Sequence, residues 1–240
     1  MKIGKEQIRL ANVERDVCFP DTGNAGWHIK NILSGKDYPP LGSSYTPTCI
    51  VDVGANVGAT ALFFAATYPT ADIFCYEPSP SNLEFLKQNT DGLEKIHIFE
   101  YGLNDHDSKL KLYLGRSQCL QHSIHPSIEV TERHEAIEVR KASVALAEIL
   151  SGRCILKIDT EGCEVPVLRD LESLFEAVDI IYLEYHSEKD RRTIDQLLST
   201  HFVLWHSQAS LVHRGNLAFL STRILEEYPE LGKWEVKESV

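Results

Sequence analysis

The six cysteines, Cys18, Cys49, Cys75, Cys119, Cys154 and Cys163, include no Cys-x-x-Cys pair. That spacing offers no paired metal or redox motif, and reduced, packed thiols are expected. No apolar run approaches the roughly 20 residues of a membrane span. The opening MKIGKEQIRL lacks the apolar core of a signal peptide, so a soluble, cytoplasmic protein is expected. Basic residues are few: 24 Lys and Arg against 35 Asp and Glu give a formal net charge of −11. That balance argues against nucleic acid as a partner, because such binding needs clustered cations to release counterions. Internal repeats and low-complexity stretches are also missing. The 240 residues suffice for one sizeable domain with its own core.

The chain is organised around CIVDVGANVG, Cys49 to Gly58. Cys49, Ile50, Val51 and Val53 read as a buried strand, the glycines as a tight turn, and ATALFFAAT as the helix that follows. Gly54 lets backbone approach a ligand, and Gly58 lets the helix pack closely. Asn56 replaces the middle glycine of a dinucleotide fingerprint, and Asp52 would repel a diphosphate but attract an ammonium group. The amino acid end of S-adenosylmethionine carries such a group. Glu77 ends the next apolar run, ADIFCYEP, about 20 residues on, the distance at which an acid meets ribose hydroxyls.

Residues 1–48 read as an N-terminal extension that either covers the substrate side or packs away from it. Residues 49–222 read as the main domain, and residues 223–240 as a charged, peripheral tail. Within the domain, strands and helices alternate with short connections, which predicts parallel βαβ units. KIHIFEYGL is expected as one strand, KLKLYLG as an extra strand, and SQCLQHSIHPSIEVTERHE as a long polar loop. Ser79 or Ser81 would cap the helix SPSNLEFLKQNT. FVLWHS and NLAFLST, joined by a turn, predict an antiparallel finish.

VDVGANVG, YEPSPSNLEFLKQN, LKIDTEGCEVPVL and IYLEYH, in that order, resemble the FkbM family of S-adenosylmethionine-dependent methyltransferases. The resemblance runs from about Cys49 to His186. It implies an α/β fold with a Rossmann-like seven-stranded methyltransferase sheet, mostly parallel with an antiparallel final strand, and helices on both faces. It also implies O-methylation of a hydroxyl on a sugar, glycan or natural-product small molecule, with S-adenosylmethionine as cofactor. By matching positions, Asp52, Gly54, Asn56 and Gly58 would line the methionine end of the cofactor and Glu77 its ribose. Leu103, Asn104 and Asp105 would lie near the adenine, and Ser123 would approach the acceptor.

Ligands of an open α/β sheet collect at the carboxyl ends of its strands. There the chain places Asp159, Glu161 and Glu164 after one strand and Glu184 and His186 at the end of the next. His186 is the expected general base, since imidazole titrates near neutrality. Glu184 or Asp159 would hold its ring, and Glu161 would face the acceptor. The alternation in YLEYH puts Glu184 and His186 on one face. Two other arrangements stand beside this one: a divalent cation held by the acids and His186, which is less favoured, and a helix-capping role for Asp159 and Glu164. Trp27, Tyr38 and Tyr45 would stack on a sugar or pack internally. A nicotinamide-dependent oxidoreductase and a catalytically inactive cofactor-binding protein are the rival functions, the first opposed by Asp52, Asn56 and the antiparallel finish.

Overall fold

The computed structural model describes residues 2–11, 13–42, 45–115, 130–211 and 213–228. A seven-stranded sheet is its centre, built from β3 (Cys49–Val53), β4 (Asp72–Tyr76), β5 (Ile96–Phe99), β9 (Cys154–Ile158), β10 (Val178–Tyr185), β11 (Phe202–Leu211) and β12 (Arg214–Ser221). The order is β11-β12-β10-β9-β3-β4-β5. β12 lies antiparallel to both its neighbours and the rest run parallel, as expected of the final strand. Alternate side chains of these strands enter two cores. Ile50, Ile73 and Ile155 face one that is closed by α1 (Ala25–Leu33), α2 (Ala59–Thr67) and α3 (Pro80–Thr90). Val51, Val53 and Leu156 face the other, closed by α4 (Ala142–Leu146), α5 (Glu164–Asp170) and α6 (Glu188–Leu198). Burial on both faces makes the central strands continuous apolar runs.

The first and last described segments join this body. β1 (Ile3–Leu10) and β2 (Val13–Pro20) form an antiparallel hairpin, and its Ile8, Val17 and Phe19 share a core with Leu62 and Leu86. Asn89 of α3 fastens the hairpin: Cys18 N–H donates to its Oδ1, and its Nδ2 donates to the carbonyls of Cys18 and Val57, each at 2.8 Å. The boundary drawn at residue 222 falls inside α7 (Thr222–Glu227), whose Ile224 is buried and whose Arg223 pairs with buried Asp179. Residues 223–228 are therefore part of the body rather than a peripheral tail.

KIHIFEYGL breaks in two. After β5, Glu100 and Tyr101 turn the chain, and β6 (Gly102–Asn104) enters a separate three-stranded sheet, ordered β6-β8-β7, with β7 (Ser108–Gly115) and β8 (Val130–Lys141). The start of β8 occupies the last part of the expected loop, which its many polar residues had disguised; the Glu135↔Leu112 and His134↔Tyr113 pairs belong to this ladder. Ser79 caps α3, accepting from Asn82 N–H with Pro80 in the first turn. The five described cysteines, Cys18, Cys49, Cys75, Cys154 and Cys163, are free and buried.

Candidate active site

Two cavities open beside the carboxyl ends of β3, β9 and β10 and meet along Gly54, Asn56, Asp159 and Glu161. The first is a narrow slot of about 70 Å³ between Glu77 and an apolar wall of Leu103, Leu112, Ile137 and Val139. All four come from the three-stranded sheet, and of them sequence reasoning connected only Leu103 with the site. The second is larger, about 380 Å³, and its lining includes many polar side chains, among them His28, Asp37, Glu184, Gln208 and Arg214, together with Trp27.

The turn after β3 forms the shared wall. Gly54 has φ +81°, and a Cβ there would lie 1.8 Å from the Asp159 carbonyl oxygen, so only glycine fits. Asn56 also has a positive φ, and its backbone N–H donates to Glu77 Oε2 at 2.7 Å. Glu77 Oε1 accepts from Ser79 N–H at 2.8 Å, so this one buried carboxylate ties the turn after β3 to the start of α3. Burial raises its pKa to about 7 against the pull of the Ser79 and Asn56 donors.

Other sequence expectations are redistributed. Asp52 lines neither cavity. Strands β3 and β9 pair with Asp52 opposite Lys157, so both side chains enter the interior on one face, with Lys157 Nζ 2.9 Å from Asp52 Oδ1. Lys157 also donates to the Gly54 carbonyl at 2.7 Å. Burial works to lower the Lys157 pKa, but Asp52 and then Asp159 raise it above its ordinary value. The ammonium that Asp52 was expected to attract is thus supplied by the chain itself. Gly58 also leaves the cavity walls: a Cβ there would come within 2.7 Å of Leu86 Cδ1, so it serves the packing of α2 on α3. Leu103 lines the slot, whereas Asn104 is buried beside it and Asp105 is an exposed partner of His106. Ser123 lies outside the described residues.

Asp159 and Glu161 line both cavities and Glu184 the larger one, but His186 lines neither. Its Nε2 faces Glu164 Oε1 at 3.6 Å and Glu161 Oε2 at 3.8 Å. Burial alone would lower the His186 pKa; Glu164 first, then Glu161 and Glu184, raise it to about 10. The imidazole is therefore held protonated at neutral pH, the wrong form for a general base. Glu164 anchors the turn before α5, accepting from Thr160 N–H at 2.8 Å and Gly162 N–H at 3.1 Å, while the expected cap role passes over Asp159. Burial works to raise the Glu164 pKa, but His186, then its own N–H and that of Gly162, bring it to about 2.

The sign of the His186 contribution follows. It is complete below its ordinary value of 6.5 and is lost as pH rises through about 10. The Tm of the wild type should therefore fall relative to that of His186→Gln across this window. Parallel Tm curves for the two proteins would refute the ion pair.

Arg214, at the start of β12, closes the acid cluster. Its Nε donates to Glu184 Oε1 at 2.6 Å and its Nη2 to Glu161 Oε2 at 3.1 Å, holding Glu161 in the left-handed region at φ +57°. Asp159, Glu184 and His186 bring one donor atom each within 4.8 Å of one another. Within that set Arg214 already occupies Glu184. Of the aromatics, Trp27 stands half-exposed at the larger cavity, Tyr38 lines it from a buried position, and Tyr45 packs internally, donating to Asp179.

A sequence profile described as the methyltransferase FkbM domain matches residues 52–209. The chain is 28% identical to "Methyltransferase 1" of Beauveria bassiana over 63% of its own length and 70% of that protein's. It is 23% identical to "2-O-methyltransferase NoeI" of Sinorhizobium fredii over 58% of its own length and 64% of the relative's. It is 26% identical to "Hexuronic acid methyltransferase AglP" of Haloferax volcanii over 72% and 71% of the two lengths. Among solved structures, the Methanococcus jannaschii fibrillarin pre-rRNA processing protein superposes with a TM-score of 0.50 at 9% identity, over 90% of this chain and 82% of that one.

Proposed function

The chain belongs to the methyltransferase FkbM family, and from that premise we propose that it is an S-adenosylmethionine-dependent O-methyltransferase whose acceptor is a hydroxyl of a sugar, glycan or natural-product small molecule. The observation that carries this reading is the junction of a narrow slot ending in a buried acid with a larger polar cavity, across the turn Gly54 to Asn56. The lining of the slot suits a nucleoside. Leu103, Leu112, Ile137 and Val139 offer flat apolar contact, and Glu77 stands at its edge for ribose hydroxyls. The glycine that admits no Cβ lets the turn press against the cofactor. When bound, S-adenosylmethionine supplies a methyl group on a sulfonium centre.

The chain's own contribution is position and exclusion of water. Glu161 and Glu184, fixed by Arg214, and Asp159, fixed near Lys157, set the wall on which an acceptor rests. Asn24, Gln208 and Asn216 offer neutral hydrogen-bonding groups, and Trp27 an exposed ring, as polyhydroxylated acceptors require. The similarity to proteins named for 2-O-methylation and for hexuronic acid methylation supports an acceptor of this class. In this reading the reaction takes place in the cytoplasm and no divalent cation takes part.

Calorimetric titration with S-adenosylhomocysteine, with NAD as comparison and with and without EDTA, tests the reading. Binding of S-adenosylhomocysteine alone, unchanged by chelator, is expected. Preference for NAD would overturn the assigned cofactor, and loss of binding in EDTA would restore the cation.

A further inference from the structure

Four carboxylates line the larger cavity: Asp37, Asp159, Glu161 and Glu184. Three face a cation. Glu161 and Glu184 share Arg214, and Asp159 Oδ2 lies 3.9 Å from Lys157 Nζ. Asp37 is different: among the described residues no side-chain hydrogen bond or ion pair holds it. It sits on the loop after α1 and lines the same cavity as the acid cluster and the turn that carries Gly54 and Asn56. This loop precedes the residues matched by the family profile, and acceptor-facing loops are where chemistry specific to one substrate is placed.

We propose that Asp37 is the group that takes the proton from the acceptor hydroxyl, so that the N-terminal extension supplies the base as well as one wall of the acceptor cavity. The inference rests on the methyl-transfer reading above. The acceptor O–H bond breaks toward an Asp37 carboxylate oxygen while the acceptor oxygen forms its new bond to the methyl carbon. The carbon–sulfur bond breaks, its electron pair stays on sulfur as a neutral sulfide, and Asp37 returns the proton to water.

The surroundings suit this task. Burial first, with Asp159 adding to it and Lys36 opposing, raises the Asp37 pKa to about 6. Such a carboxylate is mostly ionised at neutral pH, yet is a stronger base than an ordinary one. The charged or titratable groups facing it across the cavity are His28 on α1, Lys157 and Asp159 on β9 and the turn beyond, Glu161, Glu184 and Arg214. His28 is pushed below its ordinary value by burial and by Arg214, so it adds little positive charge at neutral pH. His186, the base expected from sequence, stands outside the cavity with its proton already in place.

Two measurements decide the matter. Full-length protein labelled with [13C]aspartate and saturated with S-adenosylhomocysteine is titrated by NMR between about pH 4 and 8. One carboxyl resonance is expected to titrate near 6 and to vanish in Asp37→Asn; an Asp37 resonance that titrates with the ordinary exposed aspartates overturns the proposal. In parallel, methyl transfer to the methyl glycosides of neutral hexoses and hexuronic acids is followed against pH. Asp37→Asn is expected to lower kcat by about 100-fold or more and to erase the rise in rate through pH 6, with S-adenosylhomocysteine affinity kept within about twofold. A rate limb that survives in Asp37→Asn but disappears in His28→Gln assigns the proton to the imidazole and overturns the proposal. If the wild type binds S-adenosylhomocysteine but methylates none of these sugars, the sugar reading falls by itself, and the aspartate titration decides on Asp37.

Discussion

Glu77→Ala is expected to cut the affinity for S-adenosylhomocysteine by at least about 100-fold, equivalent to about 2.7 kcal/mol. Two losses combine. The slot loses the acid at its edge, and the buried N–H groups of Asn56 and Ser79 lose the acceptor that holds both loops in place. Each charge-assisted hydrogen bond contributes about 1.5–3 kcal/mol, so the turn after β3 is expected to loosen even without ligand. Calorimetry gives the affinity, and hydrogen exchange at Asn56 and Ser79 reports the loosening. Glu77→Gln, which keeps an acceptor oxygen, should retain more of the fold and still bind weakly. Affinity within about fivefold of wild type in Glu77→Ala would remove Glu77 from the site.

The second large effect belongs to stability. Lys157→Met is expected to cost about 3–5 kcal/mol, because it leaves the Asp52 carboxylate alone in the interior. Asp52 is fully buried and Lys157 only 2% exposed, so no water replaces the missing ammonium. The substitution also removes the donor to the Gly54 carbonyl, which steadies the turn at the shared wall. Urea unfolding measures the loss. The double variant Asp52→Leu with Lys157→Met should recover most of it, since an apolar pair of similar volume removes both charges together. A loss below about 1 kcal/mol in the single variant would show that the pair contributes little.

How much of this was legible in the sequence depends on where each signal lay. The strands β3, β4, β9 and β10 were plain, because strands buried on both faces are continuous apolar runs between glycines and polar turns. Glu77, which lines the slot, was singled out by its spacing from Gly54 and Asn56, which the geometry of one βαβ unit fixes. The hairpin of β1 and β2 was not found, since most of its side chains are exposed or half-buried and the buried ones, Ile8 and the run from Val17 to Pro20, show no alternation. Asp52 was misread for a different reason. Its partner, Lys157, is 105 positions away and becomes its neighbour only through the register of two parallel strands. His186 failed likewise: the residue type was right for a base, but Glu161 and Glu164 converge on it only in three dimensions and hold its proton. Asp37 carries no motif at all, and what sets it apart is the lack of a described partner within a cavity whose other acids are paired.

The attachment of the hairpin by Asn89 also imposes an order on biosynthesis. The hairpin leaves the ribosome before α3, and the amide that receives Cys18 is 71 residues further along the chain. At about 5–20 residues per second, the nascent hairpin waits about 4–14 seconds for its dock. During that interval Val17 and Phe19, which end in the core, lack the part of their cover that α3 supplies. A hairpin synthesised before α3 is thus completed only after it, and a nascent chain halted before α3 is complete would leave those side chains partly uncovered for chaperones.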